Sequence, residues 1–178
     1  MENAPLTSEK NTKSAQAREA FRKKMVNPFT FRLFNWTKLP MLAIAGIKLK
    51  EIDGRKAVVT APYRWLTQNP FQSMYFAVQA MAAELSTGAL ALYAVTGRKP
   101  SVAVIITHME ARFLKKANGL TAFVCEEGDK LMEVVNRCEA TGEPATLTVK
   151  SEGRMADGTL VSVFEFTWSF RQRSKPAE

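Results

Sequence analysis

Asn69 and Glu84 stand fifteen residues apart at the start and middle of a long apolar stretch, and their types and spacing offer the most chemistry in the chain. From Met74 the sequence reads MYFAVQAMAAELSTGALALYAVTG, and Glu84 is its only charged residue. A helix that is apolar all round must be enclosed, by lipid or by the rest of its own protein. A lone carboxylate inside it is strongly penalised unless it pairs with a base, takes up a proton or opens on a wet cleft. The last two outcomes leave a carboxyl group fit for general-base or nucleophilic work; the first makes it a structural ion. Its neighbours at helical spacing are Ala77, Ala80, Met81, Thr87, Gly88 and Ala91. That stripe is mostly small, so a ligand or a second backbone can come close.

Asn69 is placed to cap this helix, with Pro70 at the first helical position and Gln72 where a capping-box partner reaches back. A capped helix start presents free backbone N–H groups and a positive dipole end, which suit an anion or a polarised carbonyl oxygen. Fifteen residues of helix span roughly 22 Å, too far for one small reaction centre to touch both ends. If cap and carboxylate serve the same site, the second of them comes from another subunit lying alongside.

Several elements must position these groups. Ser14–Val26 has helix-forming composition after an unstructured 1–13, and Phe29–Trp36 forms a second short helix after Pro28, its aromatics packing on the domain rather than facing a membrane or partner. Period-two alternation begins near Ile44 with Ile47, Leu49 and Ile52, turns at Asp53-Gly54 and returns through Ala57–Pro62 as a hairpin. After the long helix, Ser101–Lys116 is extended and turns at Asn118-Gly119 into Leu120–Cys125, a second hairpin. Asp129–Thr141 is helical and stopped by Gly142 and Pro144. Ala145–Arg154, an Asp157-Gly158 turn and Leu160–Phe170 make the third hairpin, with Phe164, Phe166, Trp168 and Phe170 on one face of the last strand. Six antiparallel strands curled around one helix bury it without lipid, an α+β architecture. The expected organisation is a helical extension over 1–38, partly disordered, and one domain over 39–173.

The bulk properties exclude several classes. At 178 residues and 46% hydrophobic the chain builds a real core. Of its +8 formal charge, residues 1–24 carry +3 (six Lys/Arg, three Glu) and residues 171–178 carry +2 (three Lys/Arg, one Glu), leaving a weakly basic body. With no phosphate loop and no basic-aromatic stripe, nucleic acid is not an expected partner. Gln79, Glu84, Ser86 and Thr87 in the middle of the apolar stretch argue against a transmembrane span. Cys125 and Cys138 lack metal spacing and read as reduced packing residues of a cytoplasmic protein. His108, the only histidine, has no Ser-His-Asp or metal set around it and is expected to be solvated or hydrogen-bonded. No metal or cofactor is expected.

Ala45-Gly46-Ile47, Asn69, Glu84 and the segment Arg112-Phe113-Leu114-Lys115 together resemble the hotdog-fold thioesterase superfamily. The similar branch contains phenylacetate-pathway-type acyl-CoA thioesterases and their domain-of-unknown-function relatives, and the resemblance covers about Leu39 to Arg171. It implies a six-stranded sheet around a central helix, a homodimer or homotetramer, and hydrolysis of an acyl thioester at the dimer interface. Asn69 and Glu84 stand at the positions of the catalytic Asn and acid. Tyr75-Phe76-Ala77 replaces the His-Gly-Gly motif of the enzymes, and Gln72 stands where another glycine is common. Gln72, Tyr75, Phe76 and Ala77 are then the pocket and oxyanion residues, and the bulk of Phe76 and Ala77 narrows the approach to the backbone amide. Arg112, Lys115 and Lys116 are the candidates for CoA phosphates. A non-catalytic acyl-, CoA- or lipid-binding hotdog protein is the alternative that this departure suggests.

Overall fold

Turn chemistry and alternation set most of the sheet. A computed structural model describes residues 4–173, with side chains from Thr12 onward. Strand β1 (Lys48–Ile52) returns as β2 (Ala57–Ala61) through Asp53-Gly54, where Gly54 has φ +91° and the Asp53 carboxylate accepts hydrogen bonds from the Arg55 and Lys56 amides. A bulge between Leu49 and Glu51 shifts the register, so Leu49 and Ile52 both point into the core although they are three residues apart. β5 (Ala145–Met155) and β6 (Leu160–Gln172) form the other hairpin, around Gly158 at φ +82°. Phe164, Phe166, Trp168 and Phe170 are buried on one face of β6, as its alternation requires.

The expected hairpin at Asn118-Gly119 does not form. β3 (Val102–Phe113) pairs only with β6, and β4 (Thr121–Cys125) lies between β2 and β5, giving the order β1-β2-β4-β5-β6-β3. An Asn-Gly hairpin turn needs positive φ at both residues, and neither has it here. β3 instead finds a partner of its own length, with eleven registered pairs from Val102↔Gln172 to Phe113↔Ser162. Among the described residues nothing pairs with its outer edge.

Helix α4 (Phe76–Val95) touches all six strands, which only a sheet curled around it allows. This is the hotdog arrangement. Among the described residues α4 is the one helix long and apolar enough to cross a membrane, and 67% of that window is buried inside the fold. Its polar side chains bind it to the sheet: Ser86 Oγ lies 2.8 Å from Ser151 Oγ, and Trp168 Nε1 donates to Thr87 Oγ1 at 3.2 Å. α5 (Gly128–Thr141) ends at Gly142 with φ +73° and covers the far end of α4. There Arg98, whose side chain is only 10% exposed, holds Glu139 at 2.6 Å and Asn136 Oδ1 at 2.6 Å. Cys125 and Cys138 are free and fully buried, and burial pushes the Cys125 thiol up to about 11.

The N-terminal part is more helical than expected. α1 (Ala4–Val26) begins ten residues before Ser14, so residues 4–13 are helical in backbone where an unstructured lead was expected; residues 1–3 lie outside the described residues. α2 (Pro28–Lys38) is capped by Asn27, whose Oδ1 accepts from the Phe29 and Thr30 amides. α3 (Pro40–Ala45) occupies the residues around Ile44 where extended chain was expected, and Gly46 ends it at φ +74°. Phe31 packs into the core, but Phe29 and Trp36 face outward, contrary to the expectation that the α2 aromatics pack on the domain. Proline at the first helical position fixes the helix start, and the four-residue spacing that buries Phe31 and Asn35 turns Phe29 and Leu33 away.

A cleft at the start of the central helix

The chain reaches α4 through a folded loop, and the hydrogen bonds of that loop decide where Asn69 goes. Thr67 Oγ1 accepts from the Arg64 amide at 3.0 Å, Gln68 bridges Met74, and the Tyr75 amide donates to Thr67 O at 2.8 Å. Between these pairs Asn69 Oδ1 accepts from the Phe71 amide at 3.0 Å and the Ser73 amide at 3.1 Å. Asn69 therefore clamps a tight turn over 69–73 instead of capping α4, whose N-cap is Tyr75 without a side-chain hydrogen bond. Pro70 lies in that turn, and Gln72 takes φ +57° there instead of completing a capping box. The local pattern Asn-Pro-x-Gln is shared by a helix cap and an Asx turn; the bridge from Gln68 to Met74 selects the turn. With α4 starting at Phe76, eight residues of helix separate its first turn from Glu84, roughly 12 Å along the axis.

The segment after β3 is sewn to this loop. The Leu114 and Lys115 amides donate to Val161 O, the Ala117 amide to Ser73 Oγ at 3.0 Å, and the Met74 amide to Ala117 O at 2.7 Å. These bonds bring Lys115 and Lys116 beside Asn69 across a cleft of about 460 Å³, with Ser73, Phe76, Gln79 and Phe113 on its walls. The Phe76 and Ala77 N–H groups, first in α4, have no acceptor among the described residues. A cationic rim, an aromatic wall and free helix-end amides suit an anionic ligand with an apolar body.

Of the residues singled out from sequence, the cleft collects Asn69, Phe76, Lys115 and Lys116. Gln72 is exposed in the turn, Tyr75 is exposed with its ring set edge-on against Phe76 at 4.9 Å, and Ala77 does not line the cleft. Arg112 is taken by Glu165 at 3.0 Å on the face of β3 and β6. His108 is exposed opposite Thr167, as expected of a solvated side chain. Ser73, Gln79 and Phe113 were not among the expected site residues. Gln79 carried a signal, being one of few polar groups in the apolar helix; Ser73 carried none.

Glu84 sits apart from that cleft. Phe76, Ala77, Ala80, Met81 and Glu84 are all at least partly accessible along one face of α4, whereas Leu85 to Ala91 are buried on every side. The first half of the helix is thus uncovered along the stripe that leads to the carboxyl group. Among the described residues that carboxyl group has no hydrogen-bond or ion-pair partner, and burial alone pushes its pKa above the usual carboxylate value. A Cβ added at Gly88 would lie 3.1 Å from Glu84 Oε1 and 3.2 Å from the Trp168 ring, so both side chains border the bare backbone of that glycine. A partly buried, unpaired carboxyl group of raised pKa is a better proton acceptor, once ionised, than an ordinary carboxylate. No group of metal-ligating side chains occurs among the described residues.

Solved structures share this fold at low identity. PA5026 of Pseudomonas aeruginosa, described as a probable thioesterase, is 17% identical with a TM-score of 0.70, covering 84% of this chain and 99% of that one. Thioesterase HI1161 of Haemophilus influenzae is 14% identical with a TM-score of 0.58, covering 82% and 92%. The Escherichia coli PaaI protein of the phenylacetic acid degradation operon is 12% identical with a TM-score of 0.59, covering 92% and 95%. No curated protein matches the chain by sequence. A family model matches residues 30–170, and the chain belongs to the family described as domain of unknown function DUF4442, in hotdog form.

Proposed function

We propose that this protein hydrolyses an acyl thioester, with acyl-CoA as the substrate class, at a site shared between two copies of the chain. The observation that carries the reading is Glu84: an unpaired, partly buried carboxyl group at the end of the one uncovered stripe of α4. β3 is an open sheet edge carrying exposed Ile105, Met109 and Phe113, and a second copy pairing there continues the sheet and faces that stripe. The Asn69-clamped cleft of one copy then supplies what Glu84 of the other lacks.

In this scheme the Phe76 amide polarises the thioester carbonyl, and Lys115 and Lys116 hold the CoA phosphates as point charges. Glu84 takes a proton from water as the oxygen attacks the carbonyl carbon. The tetrahedral intermediate expels the CoA sulfur, Glu84 returns the proton to it, and the products are a carboxylic acid and free CoA thiol. Its raised pKa makes Glu84 the stronger base. Residues 39–173 form the catalytic unit and residues 1–38 an appendage to it.

The test is hydrolysis of an acyl-CoA panel by wild type and Glu84→Ala, together with sedimentation equilibrium. The reading is lost if no acyl-CoA is turned over, if the variant is as fast as wild type, or if the protein is a monomer at working concentration.

A second reading rests on the Tyr75–Phe76 ring pair, which stands where the resemblance places the histidine and the first glycine of His-Gly-Gly. It makes the cleft a holder of acyl or CoA ligands without turnover. Ligand retained through purification, seen by native mass spectrometry alongside zero hydrolysis, selects it.

A further inference from the structure

Helix α2 carries two apolar faces. Phe31 and Phe34 turn inward, whereas Phe29, Leu33 and Trp36, spaced i, i+4 and i+7, fall within about 60° of one another on the outside. Their exposures are 78%, 58% and 55%, and Met41 of α3 adds another 59%. An apolar stripe of this size on an outer helix marks an interaction surface.

The charge around the stripe names the occupant. Residues 20–50 contain seven cations, Arg22, Lys23, Lys24, Arg32, Lys38, Lys48 and Lys50, and not one acid. That is seven of the eight net charges of the chain. Glu19 and Glu51 bound the segment, and both are engaged: Glu19 with Arg22 and Lys23, Glu51 with Lys56. Three of these cations are also neighbours in space. Arg32, Lys48 and Lys50 share with Trp36 a groove of about 620 Å³ between α2 and the edge strand β1, and among the described residues no acid lines it.

We propose that the outer face of α2 and α3 docks this protein on an anionic lipid bilayer. Phe29, Leu33, Trp36 and Met41 enter the boundary between headgroups and acyl chains, while Arg32, Lys38, Lys48 and Lys50 stay at headgroup level. Phenylalanine and tryptophan flanked by cations suit that boundary because it is apolar on one side and wet on the other. The proposal is independent of the catalytic reading and stands or falls by lipid binding.

The experiment is vesicle flotation of the full chain with phosphatidylcholine alone and with about a quarter phosphatidylglycerol. Three proteins are compared: wild type, Phe29→Ser/Leu33→Ser/Trp36→Ser, and Lys48→Glu/Lys50→Glu. The wild type is expected to float with the anionic vesicles only, and each variant to bind about tenfold more weakly. Folding of the variants is checked by near-ultraviolet circular dichroism; should the serine variant fail, the lysine variant carries the test, since both its substitutions are at exposed positions. Absence of wild-type binding, equal binding to neutral vesicles, or unchanged binding of a folded variant overturns the proposal. So does a serine variant that dissociates a wild-type oligomer, which would make this face a contact between copies.

Discussion

Around Gln79 the interior of α4 is a closed hydrogen-bond set: Nε2 donates to Met74 O at 3.1 Å and Oε1 accepts from Ser162 Oγ at 2.9 Å. Five residues along the same helix, Glu84 has a carboxyl group, partial burial and no such partner. Both are polar side chains in an apolar helix, and their surroundings give them opposite uses. A buried amide with both ends satisfied fixes the helix in one register against β6 and anchors the floor of the cleft. An unsatisfied carboxyl group costs stability and is free to exchange protons. The contrast separates the part of α4 that holds the fold from the part available for chemistry.

The most severe way to break the contrast is Glu84→Ala. It should lower acyl-CoA turnover by about 10²–10⁴-fold while leaving the melting temperature unchanged or higher, because a general base is lost and a desolvated charge goes with it. Activity retained within about twofold would assign the acid no catalytic part. Gln79→Leu should do the reverse. It strands Ser162 Oγ and Met74 O in the core and should cost about 2–3 kcal/mol in denaturant unfolding. A loss below about 0.5 kcal/mol would mean that water replaces the amide there.

A pH series on Glu84→Gln sharpens the same point with a smaller effect. The folded pKa of Glu84 is raised above 4.5, so the folded state binds its proton more tightly than the unfolded chain does. Wild-type stability should therefore fall, relative to the variant, as pH rises above 4.5 toward the folded pKa. Below 4.5 the two proteins should converge, because the acid is then neutral in both states. A difference at neutral pH that closes on acidification is the expected pattern in paired denaturant titrations. The smallest change is Gly88→Ala. The gain in helix propensity, about 1 kcal/mol, is offset by a methyl group pressed against Glu84 and Trp168, so net stability should move by less than that. Turnover should drop more than stability does, since the added methyl group crowds the carboxyl group itself.

Much of the fold could be read from the chain because its signals are local. The all-apolar helix, the strict alternation of Phe164 to Phe170 and the glycine turns at 54 and 158 each depend on a few neighbouring residues, and all are present. Asn118-Gly119 misled because β3 and β4 each find a longer or better-matched partner elsewhere; pairing of strands sixty residues apart leaves no mark in a short window. Asn69 misled for a related reason, since the same residue types favour a helix cap and an Asx turn. Asn69 and Glu84 stood out by composition alone. The cleft did not, because Ser73, Gln79, Phe113, Lys115 and Lys116 are brought together by hydrogen bonds between the loop before α4 and the loop after β3, one of them to the Ser73 hydroxyl.

The sealed cysteines have a practical consequence for the assay on which these questions depend. Cys125 and Cys138 are without exposed surface, and burial pushes the Cys125 thiol up to about 11, so neither sulfur is open to a thiol reagent in the native state. In the proposed acyl-CoA assay a disulfide chromogen will therefore report only thiol released from the substrate, with no slow background from the protein. Should that background appear, it would time the opening of β4 or α5, which carry these two residues, and the same cuvette would serve as a clock for unfolding.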